Sequence, residues 1–266
     1  MPITPSFITA NYVGRVSQYR GAGDWGAFDR ATIAATTPAT LQAVVNDIKT
    51  AGFHAIDVWT AHCHWQAHSA GDLPERLHHM AQQAGLAITS YAGGFKAEMP
   101  ADFDGPFALM RRIGAPIFAG GISGRPDAEL APMVSDACAR YGVKWAFENH
   151  PQKTVAEIAA RIGGGKYPHL GIALDTGWCG IQGLDALEAT KALREHLLLV
   201  HLKDITAPGS HDTCALGDGV IPCEAIVRHL VESEWEGPLC IEHEPYDRDP
   251  MPEVETSLRR VLEWLR

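Results

Sequence analysis

No two of the six cysteines are spaced C-x-x-C, which argues against a zinc knuckle and a redox dithiol. Cys63, Cys138, Cys179, Cys214, Cys223 and Cys240 are scattered and are expected to be reduced, mostly buried thiols. No run of about 18 apolar residues occurs, and Met1 to Gly14 shows no basic stretch leading into a long apolar core. Neither a membrane span nor a secretion signal is expected, and the protein is assigned to the cytoplasm. Basic residues are few, 22 Lys and Arg against 32 Asp and Glu, for a formal net charge of -10. That sign repels phosphate backbones and no Lys/Arg stripe offsets it, so nucleic acid is disfavoured as a partner. No G-x-G-x-x-G follows the first apolar run, which removes the main support for a dinucleotide-binding open sheet.

What is present is an ordinary core-forming composition, 46% hydrophobic and 20% charged over 266 residues. That length suits one α/β barrel, and no linker divides it, so residues 1–266 read as one (β/α)8 TIM barrel domain. A homo-oligomer is left open. Short apolar, β-branched runs alternate with segments of helical period, as in βα units around a parallel sheet. The runs are Phe7 to Val13, His54 to Thr60, Ala87 to Tyr91, Pro116 to Ala119, Lys144 to Asn149, Leu170 to Asp175, Leu197 to Lys203 and Leu239 to Glu244. Between them, Thr37-Pro38 opens a helix through Lys49, and Asp72, Asp102, Asp127, Thr154 with Glu157, Asp185, Pro222 and Pro252 mark further starts. The irregular stretch Thr60 to Gly71, with three histidines, is expected to cover the barrel mouth.

Side chains at the C-terminal ends of barrel strands converge on one site. The last four runs end in Glu148, Asp175, His201 and Glu242, each a potential metal ligand, with successive spacings of 27, 26 and 41 residues. The first two spacings are about one βα unit each; the third is longer because Thr206 to Gly219 is inserted. Any one of these residues could be an ordinary cap or ion-pair partner. All four together are harder to explain that way, because three converging carboxylates repel one another without a cation. Three carboxylates and an imidazole form a hard set that suits Mn²⁺, with Mg²⁺ or Co²⁺ as alternatives. Such an ion polarises a carbonyl and eases removal of the neighbouring C–H proton, with Glu148 and Glu242 as the catalytic base and acid. His62 and His64, alternating after the second run, are candidate substrate contacts, as are His150 and Trp178. Lys203 either stabilises an enolate oxygen or pairs with Asp204. Gly120-Gly121 and Gly124-Arg125 leave a phosphate contact open, although an unphosphorylated substrate is favoured.

The pieces Phe147-Glu148-Asn149-His150, Leu174-Asp175-Thr176-Gly177, Val200-His201-Leu202-Lys203-Asp204, Leu216-Gly217-Asp218-Gly219 and Ile241-Glu242, in that order, carry a resemblance. Over nearly its whole length the chain resembles the xylose isomerase-like TIM barrel superfamily, the sugar phosphate isomerase/epimerase group. The resemblance implies one divalent metal on Glu148, Asp175, His201 and Glu242, and proton transfer through an enediolate on a small sugar, keto-sugar or cyclitol. A dehydratase or lyase using the same first step is the alternative; a nuclease similar to endonuclease IV and a noncatalytic sugar-binding barrel come further behind. Two departures bear on this. Trp178 stands where the family commonly has a histidine, which counts against a multi-zinc nuclease. The His-x-Gly-x-x-x-Arg pattern of ketose 3-epimerases is replaced by His201-Leu202-Lys203-Asp204.

Overall fold

Successive side chains of a strand point to opposite faces, and in the computed structural model, which describes residues 3–20 and 24–266, the buried strand side chains divide by that parity into two packing clusters. The strands are β1 (Thr4–Ile8), β2 (Ala55–Trp59), β3 (Ala87–Lys96), β4 (Ile117–Ser123), β5 (Lys144–Glu148), β6 (Leu170–Asp175), β7 (Leu197–Leu202) and β8 (Pro238–Ile241). They are all parallel and close into a barrel, β8 pairing with both β7 and β1. Ile172, Leu174, Val200, Leu202, Leu239 and Ile241 pack outward against the helices. The opposite parity, including Ala92, Ala119, Ala146, Ala173 and Leu199, fills the interior. These mostly small inward residues support the polar side chains that follow them at the strand tops.

The fold is the expected (β/α)8 barrel, with differences at the element ends. The first apolar run does not stay extended to Val13. After Ile8 it turns into a 3-10 segment, Thr9–Tyr12, which remains buried. The Asn11 amide holds that turn against β8, donating to the Ile241 carbonyl at 3.1 Å and accepting from the His243 N–H at 2.8 Å. A helix at Trp25–Ala35, capped by Asp24, was not expected, because it buries only Thr32 and so carries no clear apolar stripe. The helix at Pro38–Thr50 starts as expected, with Thr37 and Thr40 capping each other reciprocally.

β3 and β4 both run further than their apolar stretches, because the glycines continue the pairing: Gly93 lies opposite Gly120 and Gly94 opposite Gly121. A Cβ on Gly120, whose φ is +141°, would stand 1.7 Å from the Gly93 carbonyl oxygen. Only glycine allows that approach. Gly120-Gly121 is therefore strand, which carries the fourth run past Ala119, where the sequence reading ended it. Within the insertion after β7, Asp204–Ile205 and Thr213–Cys214 form a small antiparallel hairpin. The buried Asp204 carboxylate accepts backbone N–H groups from Ile205, Gly217, Gly219 and Ile221 at 2.9 to 3.0 Å. Asp204 thus folds the insertion rather than pairing with Lys203. Among the described residues no helix is long and apolar enough to cross a membrane.

Candidate active site

The inward parity that carries Ala146, Ala173, Leu199 and Cys240 carries, one step on, Glu148, Asp175, His201 and Glu242. Register brings them level: Asp175 lies opposite His201, and Cys240 also pairs with His201. Asp175 is held by the residue just past the end of β5, for Asn149 donates to the Asp175 carbonyl at 3.1 Å and accepts its N–H at 2.9 Å. Asn149 and Asn11 thus act as side-chain bridges at strand ends where main-chain pairing runs out.

His201 sits at the centre. Its Nδ1 is 2.5 Å from Glu148 Oε1 and 3.5 Å from Glu242 Oε2, and its Nε2 is 3.0 Å from Asp57 Oδ2. Glu148, His201 and Glu242 each offer a ligand atom within 4.8 Å of the others, a grouping that could hold a metal ion. Glu242 Oε2 is buried with no hydrogen-bond partner, which is costly unless a cation meets it. Asp175 belongs to the same cluster through Lys203, whose Nζ is 3.3 Å from Asp175 Oδ2, 2.8 Å from Glu242 Oε1 and 2.9 Å from Glu244 Oε2. Five carboxylates, those of Asp57, Glu148, Asp175, Glu242 and Glu244, therefore surround two nitrogen bases, His201 and Lys203. A divalent cation fits that excess of negative charge and the oxygen-rich donor set.

The protonation equilibria follow from burial and these charges. Burial alone would lift the Glu148 carboxyl, but His201 and His150 outweigh it and hold it down at about 2. Burial raises Asp175 to about 6; Lys203 opposes this while Glu242 and Glu148 add to it. Glu244 is pushed well above the usual carboxylate range by burial and by Glu242. Burial would lower both bases, yet the carboxylates around them win, raising His201 and Lys203 well above their ordinary values.

A cavity of about 650 Å³ opens over this cluster, lined among others by Glu148, His150, Trp178, His201, Lys203 and Glu242. The Trp178 ring lies between two imidazoles, centroids 4.9 Å from His150 and 5.2 Å from His211, both edge-on. His150 Nε2 is 3.7 Å from Glu148 Oε2. His64 lines the cavity, its ring stacked on Trp65 at 4.0 Å. His62 does not line it. Its Nδ1 is 3.0 Å from the buried Thr9 hydroxyl, its ring meets Trp59 edge-on, and burial depresses its pKa to about 3. The alternation that pairs His62 with His64 fails because β2 ends at Trp59 and a 3-10 turn, Thr60–His62, follows. Residues the sequence reading left without a role also line the cavity: Glu244, Tyr246, His211, Trp59 and Trp25. Glu244 was visible as the last residue of the eighth run, with the inward parity of Glu242. Trp25 and His211 come from segments with no strand signal.

A model of the xylose isomerase-like TIM barrel family matches residues 45–266. The chain belongs to that family. No curated protein matches it. Among solved structures it is similar to D-allulose 3-epimerase from Methylomonas sp., at 14% identity, with 100% of this chain and 98% of that one covered and a TM-score of 0.71. It is also similar to 3-keto-D-glucoside 4-epimerase from E. coli, at 16% identity, 98% and 99% coverage and a TM-score of 0.66. A third is a probable 3-DHS dehydratase from Bacillus anthracis, at 13% identity, 98% and 99% coverage and a TM-score of 0.68. At these identities the likeness shows the fold alone.

Proposed function

We propose that the chain is a divalent-metal-dependent isomerase or epimerase of a small keto-sugar or cyclitol. The observation that carries this reading is the convergence of Glu148, His201 and Glu242 within 4.8 Å, with one Glu242 oxygen buried and without a hydrogen-bond partner. Glu148, His201 and Glu242 would hold the ion, with Asp175 completing the set on exchange of its Lys203 contact; Mn²⁺ is the preferred ion, ahead of Mg²⁺ and Co²⁺. When bound, the metal polarises a substrate carbonyl and makes the adjacent C–H proton more acidic.

The protein side chains do the rest. Glu148 on β5 and Glu242 beyond β8 approach the imidazole from strands separated by β6 and β7, so a substrate lying above His201 has a carboxylate on either side. One takes the proton from the carbon next to the carbonyl and the other returns a proton, to the opposite face in epimerisation or to the neighbouring carbon in isomerisation. The Lys203 ammonium donates to Glu242 at 2.8 Å and is placed to stabilise a developing oxyanion. Trp178, between His150 and His211, offers a face for a sugar ring, and His150 and His64 offer hydrogen bonds to hydroxyls. The acidic character of this mouth supports a neutral small molecule over nucleic acid, and the only metal groupings among the described residues share His201, which supports one ion.

The test is a screen of ketoses, inososes and 3-keto-glycosides with Mn²⁺ in D₂O, read by NMR. Solvent deuterium at the carbon next to the carbonyl, with inversion or carbonyl transfer, is the expected result; loss of water or of an aglycone would assign a lyase instead. Glu148→Gln and Glu242→Gln should each abolish turnover with the fold preserved. Normal turnover in either variant would reject the acid/base pair.

A further inference from the structure

The strongest unexplained group outside the proposed ligand set is Asp57. It lies mid-way along β2 in the run Ala55-Ile56-Asp57-Val58-Trp59, with the inward parity, and its side chain is fully buried. A carboxylate in that position is costly unless its oxygens are satisfied. One of them, Oδ2, meets His201 Nε2 at 3.0 Å and the Cys240 thiol at 3.7 Å; the other, Oδ1, has no partner. The contact fixes which edge of the imidazole faces which way. Nε2 looks down into the barrel at Asp57, and Nδ1 looks up at Glu148 and Glu242.

We infer that Asp57 is a positioning residue: by accepting the Nε2–H of His201 it keeps the proton on that nitrogen and presents the Nδ1 lone pair to the metal. This rests on the metal-dependent reading above and adds to it the residue that orients the imidazole. The physical reason is that, with a cation held on the Nδ1 side by Glu148 and Glu242, the neutral imidazole has its one proton left for Nε2, and the Asp57 carboxylate can only accept it. A carboxylate on the far edge also makes the free nitrogen a stronger donor.

The experiment uses the full chain. Mn²⁺ binding by wild type and Asp57→Asn is titrated by EPR, and His201 is observed by ¹⁵N NMR in wild type loaded with diamagnetic Zn²⁺. The expected results are one Mn²⁺ per chain, zinc on Nδ1 and a strongly deshielded Nε2–H in wild type. Asp57→Asn should bind Mn²⁺ about 10- to 100-fold more weakly while still unfolding cooperatively in EDTA. A purely structural role would lower the melting temperature in EDTA and leave affinity alone, and that unchanged affinity would overturn the proposal. Equal Mn²⁺ affinity in a folded variant would overturn it too, as would two ions per chain. If the variant does not fold, the wild-type spectrum decides alone: zinc on Nε2 with the proton on Nδ1 refutes the role. Wild type that binds no Mn²⁺ sinks the metal reading itself, a result distinct from bound metal that is indifferent to Asp57.

Discussion

Replacing Lys203 by Met tests the electrostatics of the site most directly. The change keeps the length and apolar stem of the side chain while removing the ammonium that touches Asp175, Glu242 and Glu244. The Lys203 side chain is only 6% exposed and its three partners 1%, 5% and 12%, so solvent cannot replace it. Deleting one partner of a buried ion pair costs about 3 to 5 kcal/mol. With an unfolding entropy of about 2.1 cal/mol/K per residue, that lowers the melting temperature by about 5 to 9 °C for a chain of this size. The measurement is thermal and urea unfolding of wild type and Lys203→Met in EDTA, at pH 7 and pH 5. The sign of the pH effect follows from Asp175, whose carboxyl is raised to about 6 even with the lysine present. A carboxyl raised in the folded state stabilises most below its unfolded value and loses that contribution as pH rises through the folded one. The deficit of the variant should therefore shrink on going from pH 7 to pH 5, as the abandoned carboxylates take up protons. Added Mn²⁺ at pH 7 should recover part of it as well. A variant as stable as wild type in EDTA at pH 7 would refute the claim that Lys203 is the cation these carboxylates require.

Two further outcomes are expected. His62, held at about 3 by burial, cannot accept a proton in the folded state until far below the ordinary imidazole value. Its contribution is complete above pH 6.5 and is lost as pH falls, by about 1.4 kcal/mol per unit, or about 2 kcal/mol at pH 5. His62→Asn should flatten the urea-measured stability profile between pH 7 and pH 5; an unchanged slope would count against a neutral buried imidazole. Gly120→Ala forces a Cβ into the Gly93 carbonyl and holds alanine at a φ of +141°. A loss of at least about 3 kcal/mol, or no soluble protein, is expected, and near-wild-type unfolding would show that β3 and β4 do not pass so closely.

Much of the fold was legible because local rules carry it. Strands covered on both faces are continuous apolar runs, and the change from those runs to helical period marks each βα unit. The four proposed ligands were legible for the same reason, since each apolar run ends in a polar residue at the level where barrel strands converge. Misreadings came where a local rule was carried past its range. Parity was extended beyond β2 to His62, where the chain had already turned. Apolarity was used to end β3 and β4, where glycine pairing keeps them extended. Lys203 was offered its sequence neighbour Asp204, although adjacent strand residues point to opposite faces.

Periodicity and strand-end chemistry, both short-range properties of the chain, were enough to determine an eight-stranded barrel with an acidic, histidine-bearing mouth. Partner choice was not: Asp57 reaches His201 across 144 residues, and Lys203 reaches Glu244 across 41. Those contacts depend on barrel closure and on register, which set side chains from distant segments at one height. Because a buried charge is stable only where its counter-charge is brought to it, the pairing inside the site was decided by the closed barrel and by nothing local.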